Sequence, residues 1–171
     1  MRLLLLPALT LAISACNMQG SATAGNTADA KSSCTAGTSL GQSEAGLELR
    51  QLCVISHGKT HSFKTEVAAT PRQQAQGMMF RQSMADDEGM IFPFPQPRPA
   101  SFWMKNTVIP LDIIFIGTDG KIESIGANAV PYSLETVNSQ GAVQAVLEVR
   151  GGLAAKLGIK AGDTVSWAPT Q

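Results

Sequence analysis

Apolar and polar residues alternate with a period of two over much of the chain after residue 46. In the stretch THSFKTEV, residues 60–67, odd-numbered positions would share one face and even-numbered positions the other. This period is typical of strands that bury one face. Similar short runs, separated by Gly and Pro, predict further strands at residues 47–56, 90–94, 101–106, 111–117, 121–128, 142–150 and 163–167.

Two short helices are predicted between the strands. Thr70 can cap the first helix, and Pro71 suits its first position. Gln73 completes a capping box, and Gly77 ends the helix. The second helix is predicted within residues 151–158, where glycines flank it. About eight strands and two short helices predict a mostly β domain, built as a β-sandwich or a compact barrel.

The strand predicted at residues 111–117 is apolar on both faces and should therefore lie in the centre of the sheet. Asp112 lies inside it, and a buried carboxylate must be paired, hydrogen-bonded or protonated. One interpretation is a structural ion pair, in which a turn brings Lys105 beside Asp112 and Asn106 caps the turn. The alternative is a pocket for an oxygen-rich ligand, with Trp103, Lys105, Asn106 and Asp112 in its floor.

Arg81 and Glu88 complete this candidate ligand-binding set, Arg81 as a nearby cation and Glu88 as the end of the acidic run Asp86-Asp87-Glu88. Such a run is usually a solvated turn. The alternative is catalytic: Asp112 and either Asp87 or Glu88 would act as acid and base. Hydrolysis of a glycosidic bond requires two carboxyls about 5 to 10 Å apart.

Metal and cofactor chemistry have little support in the sequence. The only histidines, His57 and His61, would lie about 13 Å apart along a strand, too far to bind one zinc ion together. Methionines can select copper(I), but they also fill irregular cores. The candidates are Met78, Met79, Met84, Met90 and Met104. We predict no metal and no cofactor, and keep copper(I) handling as a third alternative.

The N-terminal region has the pattern of an exported lipoprotein. Residues 1–15 combine a basic start with an apolar run too short to span a bilayer, as in a signal peptide. The sequence ISAC resembles the cleavage box of bacterial lipoproteins, in which Cys16 is lipidated. Residues 16–46 are rich in Ala, Gly, Ser and Thr and predict a flexible tether, so residues 47–171 remain as one globular domain. We expect this domain at the periplasmic face of a bacterial membrane, in the cell envelope, with membrane lipid as a partner.

Charge and cysteine content narrow the possible partners. The chain has 13 basic and 13 acidic residues and no basic patch, so nucleic acid is not expected as a partner. Cys34 and Cys53 remain once Cys16 is lipidated. In an oxidising compartment we predict a disulfide between them.

Two stretches, GMMFRQSMADDEGMIFPFPQPRPASFWMKNTVIPLDIIFI and AVLEVRGGLAAKLGIKAGDTV, resemble the family called domain of unknown function 192. The resemblance runs from about residue 60 to residue 167. It implies a β-sandwich-like fold and brings no reaction, substrate or catalytic residue with it. The leading hypothesis is a non-catalytic lipoprotein domain that binds a small ligand or a protein partner at the membrane surface. The alternative is a hydrolase or lyase that acts on an envelope carbohydrate through paired carboxylates.

Overall fold

Ten strands and two short helices make up residues 34–167, the part of the chain that the computed structural model describes. The strands are β1 (Ser39–Gln42), β2 (Glu48–Ser56), β3 (Lys59–Val67), β4 (Glu88–Arg98), β5 (Ser101–Phe102), β6 (Leu111–Gly117), β7 (Ile122–Ala129), β8 (Val137–Asn138), β9 (Val143–Arg150) and β10 (Thr164–Ser166). The helices are α1 (Pro71–Gln76) and α2 (Leu153–Leu157), and neither is long and apolar enough to cross a membrane. The prediction of a mostly β fold with two short helices is confirmed. The predicted signal peptide and Cys16 lie outside the described residues.

Eight of the strands form one mixed sheet. Its order is β1-β2-β3-β4-β9-β6-β7, and β10 pairs with β2. Neighbouring strands are antiparallel except β3 and β4, which are parallel. An isolated bridge pairs Thr164 of β10 with Lys121, just before β7. The sheet does not close into a barrel. The remaining strands, β5 and β8, form a separate two-stranded ribbon.

The central strands β6 and β9 are covered on both faces. Along β9, Ala145, Leu147 and Val149 belong to one apolar layer, which we call the first layer. Val146 points to the second layer on the opposite face. Residues from α2 and β10 complete the first layer, whereas methionine and phenylalanine side chains complete the second. The strand predicted at residues 111–117 is therefore confirmed as covered on both faces, and it lies next to the edge strand β7.

Each of these two strands carries one charged residue within its apolar run, and the two residues face opposite layers. In β6, Leu111 and Ile113 belong to the second layer, so Asp112 between them faces the first layer. In β9, Glu148 lies between two residues of the first layer and faces the second. Both acids are buried, with exposed fractions of 0% for Asp112 and 4% for Glu148.

The folded domain begins before the predicted boundary at residue 47. Strand β1 lies inside the segment predicted as a tether and pairs with β2. Cys34 forms a disulfide with Cys53 of β2, with their Cα atoms 5.9 Å apart. Backbone pairing and this covalent link tie residues 34–46 to the sheet despite their Gly- and Ser-rich composition. The tether prediction is therefore wrong for residues 34–46.

Candidate functional site

Asp112 clamps backbone groups from two other elements. One of its carboxylate oxygens accepts hydrogen bonds from the N–H groups of Asn128 at 2.7 Å and Gly152 at 2.9 Å. The other oxygen accepts from the N–H of Ala154 at 2.8 Å. Hydrogen bonds to an ionised acceptor are among the strong ones in proteins. The carboxylate therefore joins β6 to the end of β7 and to the start of α2.

The predicted ion pair between Lys105 and Asp112 is wrong. The Nζ atom of Lys105 lies 5.1 Å from the centre of the Trp103 ring, and within residues 34–167 no cation pairs with Asp112. The reason is that backbone N–H groups already satisfy this carboxylate. Because a general acid or base must reach its substrate, the burial of Asp112 also removes it from the hydrolase interpretation.

Asn106 shapes the loop that carries Trp103 and Lys105. Its φ of 56° lies in the left-handed region, which asparagine tolerates better than most residues. Its carbonyl accepts the N–H of Phe80 at 2.9 Å, and its side-chain amide donates to Sδ of Met79 at 3.8 Å. Asn106 is thus a turn residue that fastens this loop to the segment after α1. Trp103 remains 47% exposed beside it.

Arg81 and Glu88 lie together at a different place. The Nη2 atom of Arg81 pairs with Oε2 of Glu66 at 2.5 Å, and Oε2 of Glu88 accepts the N–H of Ala85 at 3.0 Å. Both residues line an open depression of about 550 Å³, together with Lys64. The six predicted site residues therefore occupy three places: Asp112 in the first layer, Trp103, Lys105 and Asn106 in one loop, and Arg81 and Glu88 in the depression.

The acidic run before β4 forms surface ion pairs. Asp86 lies 2.6 Å from Nη2 of Arg150 and 2.7 Å from Nζ of Lys156. Hydrogen bonds from Lys156 and Arg150 lower the pKa of Asp86 below its usual range. Asp87 lies 3.4 Å from Nζ of Lys64. These exposed contacts fasten the turn to β3, β9 and α2, which is the ordinary structural use of such a run.

Glu148, which the sequence analysis did not single out, is the most unusual acid of the described residues. It lies in β9 between its register partners Met90 of β4 and Ile113 of β6. Its Oε2 atom is buried and has no hydrogen-bond partner within residues 34–167. Burial raises the pKa of Glu148 to about 8, because desolvation disfavours the carboxylate. The group is therefore mostly protonated at neutral pH.

Glu148 lines a cleft of about 310 Å³, which we call the Glu148 cleft. Its apolar walls come from Met78, Met79, Phe92, Phe94, Phe102 and Trp103. The rings of Phe92 and Phe102 meet edge to face, with their centres 5.1 Å apart. Arg98 also lines the cleft and stacks its guanidinium 3.9 Å from the centre of the Phe94 ring. Aromatic and thioether walls combined with several polar groups resemble the lining of small-molecule sites, where apolar contacts hold the ligand and polar groups orient it.

The two charged residues of this cleft are far apart. Arg98 pairs with Val143, five residues before Glu148 in β9, so about 17 Å of strand separates the two positions. The two residues therefore lie at different positions along the strands, and among the described residues Glu148 forms no ion pair.

Glu66 and Glu148 do not form a catalytic pair, although they share one face of the sheet. Met90 is the register partner of both residues, so their Cα atoms are about 10 Å apart. Glu66 lines the open depression and is paired with Arg81, whereas Glu148 lines the cleft. Because the two carboxyls open onto different surfaces, one scissile bond cannot lie between them.

The methionines considered for copper(I) have packing roles. Met78, Met84, Met90 and Met104 are buried in the second layer, where they contact aromatic and aliphatic side chains. Met79 is partly exposed at the wall of the Glu148 cleft. Among residues 34–167 there is no group of three or more His, Cys, Asp or Glu side chains placed to hold a metal ion.

A sequence signal for Glu148 did exist. The segment AVQAVLEVR is apolar apart from a glutamine, this glutamate and the final arginine, as LDIIFIG is apolar apart from Asp112. A charged residue inside a strand that is apolar on both faces must be buried, which by itself points to an unusual role. The pattern could have identified Glu148 as buried, but not the cleft on which it opens.

Two proteins of known structure are similar to this chain. A protein of unknown function from Novosphingobium aromaticivorans DSM 12444 has a similar structure, with 48% sequence identity, a TM-score of 0.74 and coverage of 77% of this chain and 94% of that chain. A proposed transcription regulator from Sinorhizobium meliloti 1021 is similar at 41% identity and a TM-score of 0.68, covering 70% of this chain and 94% of that chain. No curated protein matches the sequence.

The family model called DUF192, described as "uncharacterized ACR", matches residues 53–167. This range includes both central strands and every residue that lines the Glu148 cleft. The chain therefore belongs to the DUF192 family of uncharacterised proteins.

Proposed function

We propose that this protein is an envelope lipoprotein whose domain binds a small organic ligand in the Glu148 cleft. The observation that carries the proposal is the buried Oε2 atom of Glu148, which lies at a concave surface and has no hydrogen-bond partner in the described part of the chain. A buried polar group without a hydrogen bond costs free energy of folding, on the order of 1–3 kcal/mol. Native proteins tolerate such a cost where the group serves binding or catalysis.

The lining of the cleft supports binding of a small molecule. A volume of about 310 Å³ lies at the lower end of the range of ligand sites, which is roughly 300–1,000 Å³. Phenylalanine, tryptophan and methionine side chains supply apolar contact area, and the acid supplies a directional polar contact. The loop of Asn106 holds Trp103 at the rim, where it can cover a bound ligand.

The envelope setting rests on the N-terminal sequence pattern. A signal peptide followed by a lipidated Cys16 would tether the domain near a membrane, and the Cys34–Cys53 disulfide suits an oxidising compartment. The relative described as a transcription regulator does not change the proposal. This chain has equal numbers of basic and acidic residues and lacks the basic patch expected of a DNA-binding protein.

Binding is favoured over the hydrolase or lyase alternative because the cleft contains only one carboxyl. Glu148 is the only acid that lines it among the described residues. General acid–base cleavage of a glycosidic bond requires two carboxyls on opposite sides of the bond. The predicted partner of such a pair, Asp112, faces the other layer of the sheet.

A fragment screen by NMR would test the proposal. The protein, purified as the cell processes it, would carry labelled methionine methyl and tryptophan indole groups, and neutral, anionic and cationic fragments would be added in turn. We expect some fragments to shift the signals of Met78, Met79 and Trp103. Met84, which lines the depression, and Trp167 serve as internal controls and should not move. If no fragment of any charge shifts the three cleft signals, the proposal is wrong.

A further inference from the structure

We propose that the ligand of the Glu148 cleft carries a protonated primary amine, which Glu148 binds as a carboxylate. This inference rests on the proposed function and specifies the chemical class of the ligand.

Two polar side chains of the lining, Gln74 and Thr107, already donate their hydrogen bonds to backbone carbonyls of the protein. Both N–H donors of the Gln74 side chain are used, to the carbonyls of Ala68 at 3.1 Å and Pro93 at 2.9 Å. The hydroxyl of Thr107 donates to the carbonyl of Lys105 at 3.4 Å. What these groups still offer to a ligand is an amide oxygen and a hydroxyl oxygen, which are acceptors.

Glu148 adds a third acceptor to this set once it is ionised. A carboxylate accepts only, whereas a primary ammonium group has three N–H donors and no acceptor. An ammonium group can donate to these acceptors, whereas a carboxylate cannot. The other polar side chains of the lining, Gln76, Arg98 and Ser101, are exposed at the mouth.

The walls favour a cation as well. Aromatic rings attract cations over their faces, and two rings of this lining already do so within the protein. Arg98 lies over Phe94, and Lys105 lies over Trp103. Phe92 and Phe102 remain without such a cation, and thioether sulfurs of Met78 and Met79 add polarisable contacts nearby.

Within the described residues, no cation is paired with Glu148, so a bound cation could neutralise it. On the cleft side the only other charged residue of the described lining is Arg98, about 17 Å of strand away. The register partners of Glu148, Met90 and Ile113, are apolar. Glu66, beyond Met90, is already neutralised by Arg81. A bound ammonium group would therefore be the direct counter-ion of Glu148.

Binding must then release a proton. In the empty cleft the O–H of Glu148 is intact, since burial raises the pKa of this acid to about 8. When the ammonium group enters, the O–H bond breaks, the proton passes to solvent and an N–H···O⁻ hydrogen bond forms. The amine keeps its own proton throughout, so close to one proton is released per ligand at pH 7.

Isothermal titration calorimetry on the whole protein can test this with three probes of equal length: n-butylamine, n-butanol and n-butyrate. At pH 7 we expect n-butylamine to bind at least about tenfold more tightly than the other two, as a charge-assisted hydrogen bond would require. Titration in phosphate and in HEPES, which differ in ionisation enthalpy and contain no primary amine, should show release of about one proton. At pH 9, above the pKa of Glu148, the release should fall to about a tenth of a proton.

Glu148→Gln is the matching variant, and Glu135→Gln, at an exposed glutamate outside the cleft, is its control. Glu148→Gln should weaken n-butylamine binding at least about tenfold and abolish proton release, whereas the control should change neither. The pH comparison uses the wild-type chain and decides the matter even if the variant does not fold. Equal binding of n-butanol, or no proton release at pH 7, would overturn the amine assignment while binding in the cleft stands. Failure of all fragments to bind would instead count against the proposed function itself.

Discussion

Replacing Glu148 by glutamine should change how the stability of the protein depends on pH. The carboxyl of Glu148 has a pKa of about 8 in the folded protein, against an ordinary value of 4.5. Between pH 4.5 and pH 8, the folded state therefore keeps a proton on Glu148 that the unfolded state has lost. Stability from this group is fully present below about pH 4.5, falls as pH rises and levels off above pH 8. Glutamine cannot titrate, so the variant lacks this loss.

The size of the effect follows from the same two values. The interval from 4.5 to 8 corresponds to about 5 kcal/mol of unfolding free energy lost by the wild-type protein between pH 4 and pH 9. About two-thirds of that loss falls below pH 7. Relative to wild type, Glu148→Gln should therefore gain about 5 kcal/mol of stability over this range, whatever its stability at pH 4.

Urea unfolding followed by tryptophan fluorescence or circular dichroism, from pH 4 to pH 9, measures this difference. Glu135→Gln provides the control, because an exposed glutamate should leave the pH profile unchanged within about 0.5 kcal/mol. The reasoning fails if the wild-type and Glu148→Gln profiles run parallel. Parallel profiles would mean that the carboxyl is solvated or has found a partner, and the argument for a ligand would lose its basis.

Three further substitutions test the remaining structure by the same unfolding assay. Asp112→Asn should cost about 3–5 kcal/mol at neutral pH, because an amide N–H₂ would face a backbone N–H donor; a cost below about 1 kcal/mol would refute the clamp. Cys34→Ser should cost about 3 kcal/mol by freeing the loop to Cys53, and equal stability of wild type and variant under oxidising conditions would argue against the disulfide. Gly151→Ala should cost about 1–3 kcal/mol, since the added methyl would lie 2.9 Å from the carbonyl carbon of Pro110; an unchanged midpoint would show that the chain can shift there.

Asp112 and Glu148 have opposite effects on the stability of the fold. Asp112 has three backbone donors, so its carboxylate is a stabilising part of the fold. Glu148 has an oxygen with no partner, so its carboxylate form opposes folding. A group of the second kind is retained where it contributes to function. This contrast separates a structural acid from a candidate binding acid within one sheet.

Local pattern was sufficient for most of the fold. Alternation with a period of two predicted the strands, and the capping box at Thr70 and Gln73 predicted the start of α1, where both hydrogen bonds are present. The doubly apolar run at 111–117 predicted a central strand, because only strands covered on both faces have that composition. These features depend on residues close together in sequence. The start of the domain was missed because pairing of β1 with β2 is not visible in composition.

The candidate site could not be derived in the same way. Asp112 and Glu148 give the same sequence signal, a single acid inside an apolar strand. Their roles diverge because Asp112 faces the backbone N–H groups of α2, about 40 residues away in sequence, whereas Glu148 faces a concave surface assembled from α1, β4 and β5. Sequence by itself determined that both acids would be buried. Only the tertiary structure decided which one met hydrogen-bond donors and which one was left for a ligand, since that depends on what the fold packs against each face.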